Sequence, residues 1–209
     1  MRLTPKKKLK FSWACSNGIR VDFINEELLR KMKEAGCYRV AFGIESGSAK
    51  ILENINKHTT LAKIQGAVRL AQKAKLITVG FFMVGNLGET NETINETIRF
   101  IRKLKLDYTQ FTIATPYPGT ALAAQVAQKG RIFAKDWSDY NTYTGSVFEW
   151  DDLPKARIDA YQAKMYKSSY LNVRYIFRRL ISLKPNDLQL IWNGLKILRS
   201  VIGLGEPNR

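Results

Sequence analysis

Sulfur and imidazole are scarce in this chain of 209 residues, which has two cysteines, Cys15 and Cys37, and one histidine, His58. A single histidine leaves no room for a multi-histidine metal site or a histidine-based triad, and His58 reads as an exposed linker residue. The two cysteines flank a predicted strand and helix instead of forming a close CxxC pair, so they indicate neither a disulfide framework nor a zinc knuckle. Both read as small core residues. No run of about 18 apolar residues occurs, which excludes a membrane-spanning helix, and the opening MRLTPKKKLKFSW holds no apolar stretch long enough for a secretory signal. The expected location is cytoplasmic, at most peripheral to the inner face of a membrane.

Acid is also in short supply. Against 34 lysines and arginines there are 18 aspartates and glutamates, for a net charge of +16. The excess sits at the ends: residues 1–10 hold five basic residues and no acidic one, and residues 155–209 hold eleven basic against three acidic. Such ends are either solvated basic faces or attractors for an anionic membrane surface, an acidic partner or, less readily, nucleic acid.

What is present is apolar and periodic. With 45% hydrophobic residues the chain can bury one substantial core and at most a small second module. Leu9 to Cys15 and Ile19 to Phe23 read as strand-like pieces around a polar Ser-Asn-Gly break. Asn25 then caps a helix running to Ala35, with Leu28, Leu29 and Met32 on one face and Gly36 at its end. Tyr38 to Ile44 predicts a strand, followed by a helix over 48–56 with Ile51, Leu52 and Ile55 inward. Another helix, opened by Thr59 or Thr60, buries Ile64, Val68 and Ala71. Strand Ile77 to Val84, helix Thr90 to Leu104 with Ile94, Ile98 and Ile101 on one stripe, and strand Tyr108 to Ala114 complete the series. Strands spaced roughly 25 to 40 residues apart, with helices between, predict parallel pairing in a barrel or an open doubly wound sheet. Beyond residue 130 the pattern changes to aromatic-rich loops and basic amphipathic segments over 154–183 and 186–202. This predicts a sheet domain over 1–130 and a mainly helical extension over 131–209.

In parallel α/β folds, ligands sit at the carboxyl ends of the strands. Three strand ends therefore stand out: Glu45 to Ser48 (ESGS), Gly85 to Thr90 (GNLGET) and Pro116 to Thr120 (PYPGT). Glu45 and Ser46 place a carboxylate and a hydroxyl beside the free amides of a helix start, a combination suited to an ammonium, a carboxylate or a ribose; a glycine-rich turn with a capping serine is the plain structural alternative. Lys57, beyond the short helix, can return its ammonium toward the same place or stand on the surface. Gly85 and Asn86 let the backbone approach a flat ligand, or simply turn before the Thr90 cap. Pro116, Tyr117, Pro118 and Gly119 form a rigid turn whose aromatic can stack on a base.

Taken in order, GCYRVAFGIESGS, the Ile55-Asn56-Lys57 triplet, GFFMVGNLGET and TPYPGT resemble the radical S-adenosylmethionine (radical SAM) enzymes over about residues 9–125, and particularly the branch with an N-terminal cobalamin-binding domain. The resemblance implies a partial parallel (β/α) barrel, a TIM-barrel-like fragment, with S-adenosylmethionine and a 4Fe-4S cluster at the strand ends. It implies that Glu45 and Ser46 touch the amino acid or ribose part of S-adenosylmethionine and Lys57 its carboxylate. Arg20 would line the substrate side or that carboxylate, and Met83, Val84, Gly85 and Asn86 would pass close to the adenine. The departures are specific. The CxxxCxxC cluster loop has no counterpart here, the first two barrel strands are missing, and Leu87 stands where proline is common.

Three readings follow. The first is a truncated or split radical SAM enzyme that needs a second polypeptide for the N-terminal half of its barrel and its cluster. The second is a non-catalytic remnant or scaffold. The third is a basic protein that binds a membrane surface or nucleic acid. For the tail, Tyr170, Arg174, Tyr175, Phe177, Arg178, Arg179, Ile181 and Lys184 either lie on an anionic bilayer or pack the extension onto the barrel.

Overall fold

The computed structural model describes residues 11–140 and 145–181. Four parallel strands form one sheet: β1 (Trp13–Ile19), β2 (Cys37–Glu45), β3 (Ile77–Val84) and β4 (Tyr108–Ile113), in the spatial order β1-β2-β3-β4. Between them run α1 (Glu26–Glu34), α2 (Ala49–Asn54), α3 (Leu61–Lys73) and α4 (Asn91–Leu104). Each strand pairs with its sequence neighbour, so the order never reverses as it does in a doubly wound sheet. Of the two architectures left open by the sequence, the structure is the barrel-like one, cut as an open four-stranded arc.

The strands alternate, although a fully enclosed parallel sheet reads as near-continuous apolar runs. Val40, Phe42 and Ile44 of β2 and Phe82 and Val84 of β3 are fully buried under the helices. Their neighbours Arg39, Gly43, Glu45, Val79, Phe81 and Met83 are half-buried on the other face. One face is therefore roofed by helices, and the other, the inner face of the arc, is partly open.

The helices begin where short polar side chains cap them. Asn25 accepts from Leu28 N at α1, Thr60 from Lys63 N at α3, and Thr90 from Thr93 N at α4, where Thr90 N–H donates in return to Thr93 Oγ1 and completes the capping box. Each cap satisfies amides that the first turn leaves free, worth about 1 kcal/mol. The expected inward residues Leu29, Ile51, Leu52, Ile64, Val68, Ala71, Ile94, Ile98 and Ile101 are buried, but Leu28 is exposed because the buried stripe of α1 runs through Leu29 and Met32.

The first strand differs from the sequence expectation of two pieces. β1 runs straight through Ser16-Asn17-Gly18, and Val21–Phe23 is a short 3-10 turn. The polar trio is tolerated because β1 is an edge strand whose register against β2 slips between Cys15 and Ile19. Gly18 also lies so close to β2 that a Cβ there would stand 2.8 Å from Gly43 N.

After α5 (Ala121–Lys129), a small antiparallel hairpin forms from β5 (Gly130–Ile132) and β6 (Phe148–Trp150), followed by α6 (Lys155–Tyr170) and α7 (Val173–Ile181). Phe148, Trp150, Ile158 and Met165 join the same hydrophobic core as Phe42, Phe82 and Phe111. α6 lies along the outer edge of β4 and meets its backbone with polar side chains. Gln162 Nε2 donates to Phe111 O at 3.0 Å, Tyr166 receives Phe111 N–H at 3.4 Å, and Tyr170 receives Thr109 N–H at 3.0 Å and donates back to Thr109 O. Tyr175 of α7 donates to Asp107 O at 3.0 Å. A four-residue step on a helix advances about 6 Å and a two-residue step on a strand slightly more, so one helix face keeps pace with the strand's alternate residues.

Candidate functional site

At the end of β2 the backbone turns sharply. Glu45 has φ 67°, and Ser46 N–H donates to Ile44 O at 2.9 Å across it. Left-handed backbone in a residue with a side chain costs about 1 to 3 kcal/mol, and such strain concentrates at ligand sites. The turn sends the Glu45 carboxylate onto the inner face, where Lys57 Nζ meets Oε1 at 2.7 Å. Lys57 is aimed by its own segment, since Asn56 and His58 on either side are both left-handed and Lys57 N–H is tied to Leu52 O. The two side chains are 23% and 25% exposed, too covered to count as a free surface pair and too open to be sealed. His58 itself is exposed.

The loop after Glu45 is clamped to α4. Thr97 Oγ1 donates to Thr93 O at 3.0 Å, which leaves its lone pairs for Gly47 N–H at 3.0 Å and the Ser46 hydroxyl at 3.1 Å. Ser46 Oγ then accepts from Ser48 N–H at 3.1 Å. Gly47 is required by this contact, as a Cβ there would lie 2.7 Å from Thr97 Cα and 2.6 Å from Phe100 Cβ. The Ser46 hydroxyl is thus engaged inside the protein, and what this loop offers outward is Glu45.

The turn after β3 is organised by Glu89, which lies outside the residues that the strand-end pattern singles out. Glu89 is buried; its Oε2 accepts from Gly85 N–H at 2.8 Å and its Oε1 from Asn86 Nδ2 at 2.7 Å. Burial pushes its carboxyl up to about 7, against the opposing pull of those hydrogen bonds. Asn86 also donates to Met83 O at 3.1 Å, and Trp150 Nε1 donates to Gly85 O at 2.8 Å. The Asn86 side chain therefore faces inward as a brace, Val84 is fully buried, and Met83 stays half-open on the inner face. An acid placed directly before the Thr90 cap was the available signal for Glu89.

Arg20 is not brought into hydrogen-bond contact with Glu45 or Lys57. Its guanidinium, on a side chain 58% exposed, bonds Asp22 at 3.3 Å and lies 5.9 Å from the Phe23 ring centroid. Pro116 to Gly119 form the turn after β4, and Thr120 closes it by donating to Tyr117 O at 2.7 Å. The Tyr117 ring stacks with Tyr140 at 5.4 Å and with Trp137 at 6.5 Å between centroids. Cys37 is buried, and the half-buried Cys15 thiol is pushed up by burial and by Cys37 beside it. A separate cleft of about 790 Å³, lined by Ile101, Arg102, Lys105, Thr109 and Tyr175 among others, lies at the amino end of β4, away from these strand ends.

In the tail, the expected packing role falls to Tyr170 and Tyr175, which bond the β4 segment, while Phe177 and Ile181 are exposed on α7. Lys184 and the side chains of Arg174, Arg178 and Arg179 lie outside the described residues. No helix among the described residues is long and apolar enough to cross a membrane.

Residues 6–101 match the family described as the radical SAM superfamily. An uncharacterized methyltransferase of Pyrococcus horikoshii is 39% identical over 170 residues, covering 81% of this chain and 36% of that protein. The bacteriochlorophyllide d C-8(2)-methyltransferase of Chlorobaculum tepidum is 30% identical over 177 residues, covering 79% and 38%. The chain thus spans little more than a third of the length of these two relatives. Among solved structures, coproporphyrinogen III oxidase of Escherichia coli, described as a radical SAM enzyme, shares the fold with a TM-score of 0.54 at 15% identity, over 74% of this chain and 31% of that one.

Proposed function

Because the chain belongs to the radical SAM superfamily, we propose that its strand ends bind S-adenosylmethionine for the radical-based modification of an organic substrate, with the cluster thiolates supplied by a part outside this sequence. The observation that carries this reading is the Glu45–Lys57 pair. A zwitterionic amino acid group presents an ammonium and a carboxylate, and the site offers one partner for each: Glu45 for the ammonium, Lys57 for the carboxylate. Exchange of the internal ion pair for two ligand contacts conserves charge, so the incoming group need not bring a counter-ion into a half-covered site. The strained turn at Glu45 fits the same role, since a merely structural ion pair does not require a left-handed glutamate. Beside them, the half-open Met83 side chain suits the cofactor's flat adenine, while Val84, Gly85 and Asn86 are buried behind it.

The chemistry that S-adenosylmethionine supplies when bound with a reduced 4Fe-4S cluster is hydrogen abstraction by a radical derived from it. This chain's own donors do not fit the cluster. It has two cysteines, and one of them is buried, whereas the family's loop supplies three thiolates. The thiolates are therefore assigned to a partner polypeptide or a further segment joining at β1. The two-thiol donor set equally favours a second reading, a non-catalytic scaffold with the same fold. A tetrapyrrole or related flat substrate is the class suggested by the bacteriochlorophyllide methyltransferase relative.

Calorimetry with S-adenosylmethionine tests the assignment on the chain alone. Binding is expected to be weak, because the contact to iron is missing, and to be lost in Glu45→Gln and in Lys57→Met. Binding that is indifferent to both substitutions would overturn it.

A further inference from the structure

A second feature at the strand ends is left unused by the cofactor reading. Tyr117, Trp137 and Tyr140 form a mutual aromatic cluster, with ring centroids 5.4 to 6.5 Å apart and interplanar angles of 21° to 44°. Buried aromatics elsewhere in the extension behave differently: Trp150 is 1% exposed and its indole N–H is bonded to Gly85 O. Trp137 is 70% exposed. Its indole N–H and the hydroxyls of Tyr117 and Tyr140 have no hydrogen-bond partner among the described residues. Indole and phenol normally place one polar tip and one apolar face in contact with something; here the rings touch one another, while the polar tips and most of the Trp137 ring stay open.

The cluster is held firmly although it is exposed. Tyr117 stands between Pro116 and Pro118, each fixing its own φ. Trp137 opens a 3-10 turn capped by Asp136, which accepts from Ser138 N–H at 2.8 Å, while Asp139 accepts from Lys135 N–H at 2.7 Å. Tyr117 follows β4, two strands over from β2 and its Glu45, which at ordinary strand spacing is about 10 Å across the sheet. Aromatic side chains held in place beyond the carboxyl end of β4, at the same end of the sheet as Glu45, are preorganised for a ligand.

We propose that Tyr117, Trp137 and Tyr140 form a stacking platform for a flat conjugated ring of the substrate, with their free polar tips directed to its ring or rim acceptors. This rests on the reading of the strand ends as the catalytic mouth. Two ligand classes share the required chemistry, a tetrapyrrole macrocycle and a nucleobase, and the probes separate them.

The experiment titrates the full chain with zinc protoporphyrin IX and with cytidine 5'-monophosphate, following tryptophan fluorescence and heat. Sodium cholate, apolar and anionic but not planar, is the comparison. One flat probe is expected to bind and quench fluorescence, and Trp137→Ala is expected to weaken it by about tenfold, the equivalent of about 1.4 kcal/mol. Trp137→Phe, which keeps a π face, should lose less than about threefold by the same reasoning. The platform is refuted if neither flat probe binds, if Trp137→Ala binds like the parent chain, or if cholate binding falls by the same factor. S-adenosylmethionine calorimetry on Trp137→Ala keeps the two readings apart. Intact cofactor binding with lost ring binding supports the platform, whereas a cofactor site that fails in the parent chain sinks only the earlier proposal.

Discussion

Glu89 shows how one buried acid ties chemistry to stability. Its folded carboxyl titrates at about 7 against an ordinary 4.5. The folded state therefore holds a proton between these values that the unfolded chain has released, and stability falls as pH rises through that window and stays lower above it. The ceiling on the effect is about 3 kcal/mol. Denaturant unfolding at pH 5 and at pH 7.5 should show the parent chain losing about 1 to 3 kcal/mol on going up. Glu89→Gln, which cannot ionise, should lack this component, and identical pH dependence in the two would contradict the assignment. The sequence made Glu45 and Lys57 legible, because a charged residue at a strand end and another after a short helix are visible as types in order. It could not make Glu89 or Thr97 legible as braces. Their roles depend on a loop folding back onto amides four and fifty residues away, and no local pattern records that.

The elements were easier to read than their edges. Apolar spacing and caps located β2, β3, β4 and the helices between them to within a residue or two, since burial under a helical layer imposes a period on the sequence. In sequence the polar centre of β1 looks like a break between two pieces, and only the slipped register of a strand at the edge of the described sheet reconciles those residues with pairing. The bond between α6 and the edge of β4 was invisible for a related reason: tyrosines at helical spacing look like any packing stripe until the strand's free amides are known. Tyr170→Phe removes both bonds to the Thr109 backbone while keeping the ring. The expected loss is about 1 to 3 kcal/mol, by denaturant unfolding. Hydrogen exchange at the Thr109 amide should speed up along with it, and an amide protected as before would show that another group closes that edge.

On the scale of the whole molecule, the sheet has two unlike sides. The β4 side is sealed by side chains from α6 and α7, whereas among the described residues no strand pairs along the outer side of β1. A sheet open at both sides can recruit copies of itself head to tail without limit, which is the geometry of fibres. With one side sealed, and as long as β1 is not taken by the partner or segment assigned to it above, edge-to-edge pairing leaves a self-complementary meeting of two β1 strands about a twofold axis, and that contact uses itself up. Light scattering at rising concentration should accordingly stop at twice the monomer mass, and a ladder of trimers and larger species would contradict this. A chain with net charge +16 gains from such a limit, because each added copy would also bring more like charge. Gln162, Tyr166 and Tyr170 thus act as a chain terminator in the polymer sense: they fix the number of subunits that can add before growth ceases.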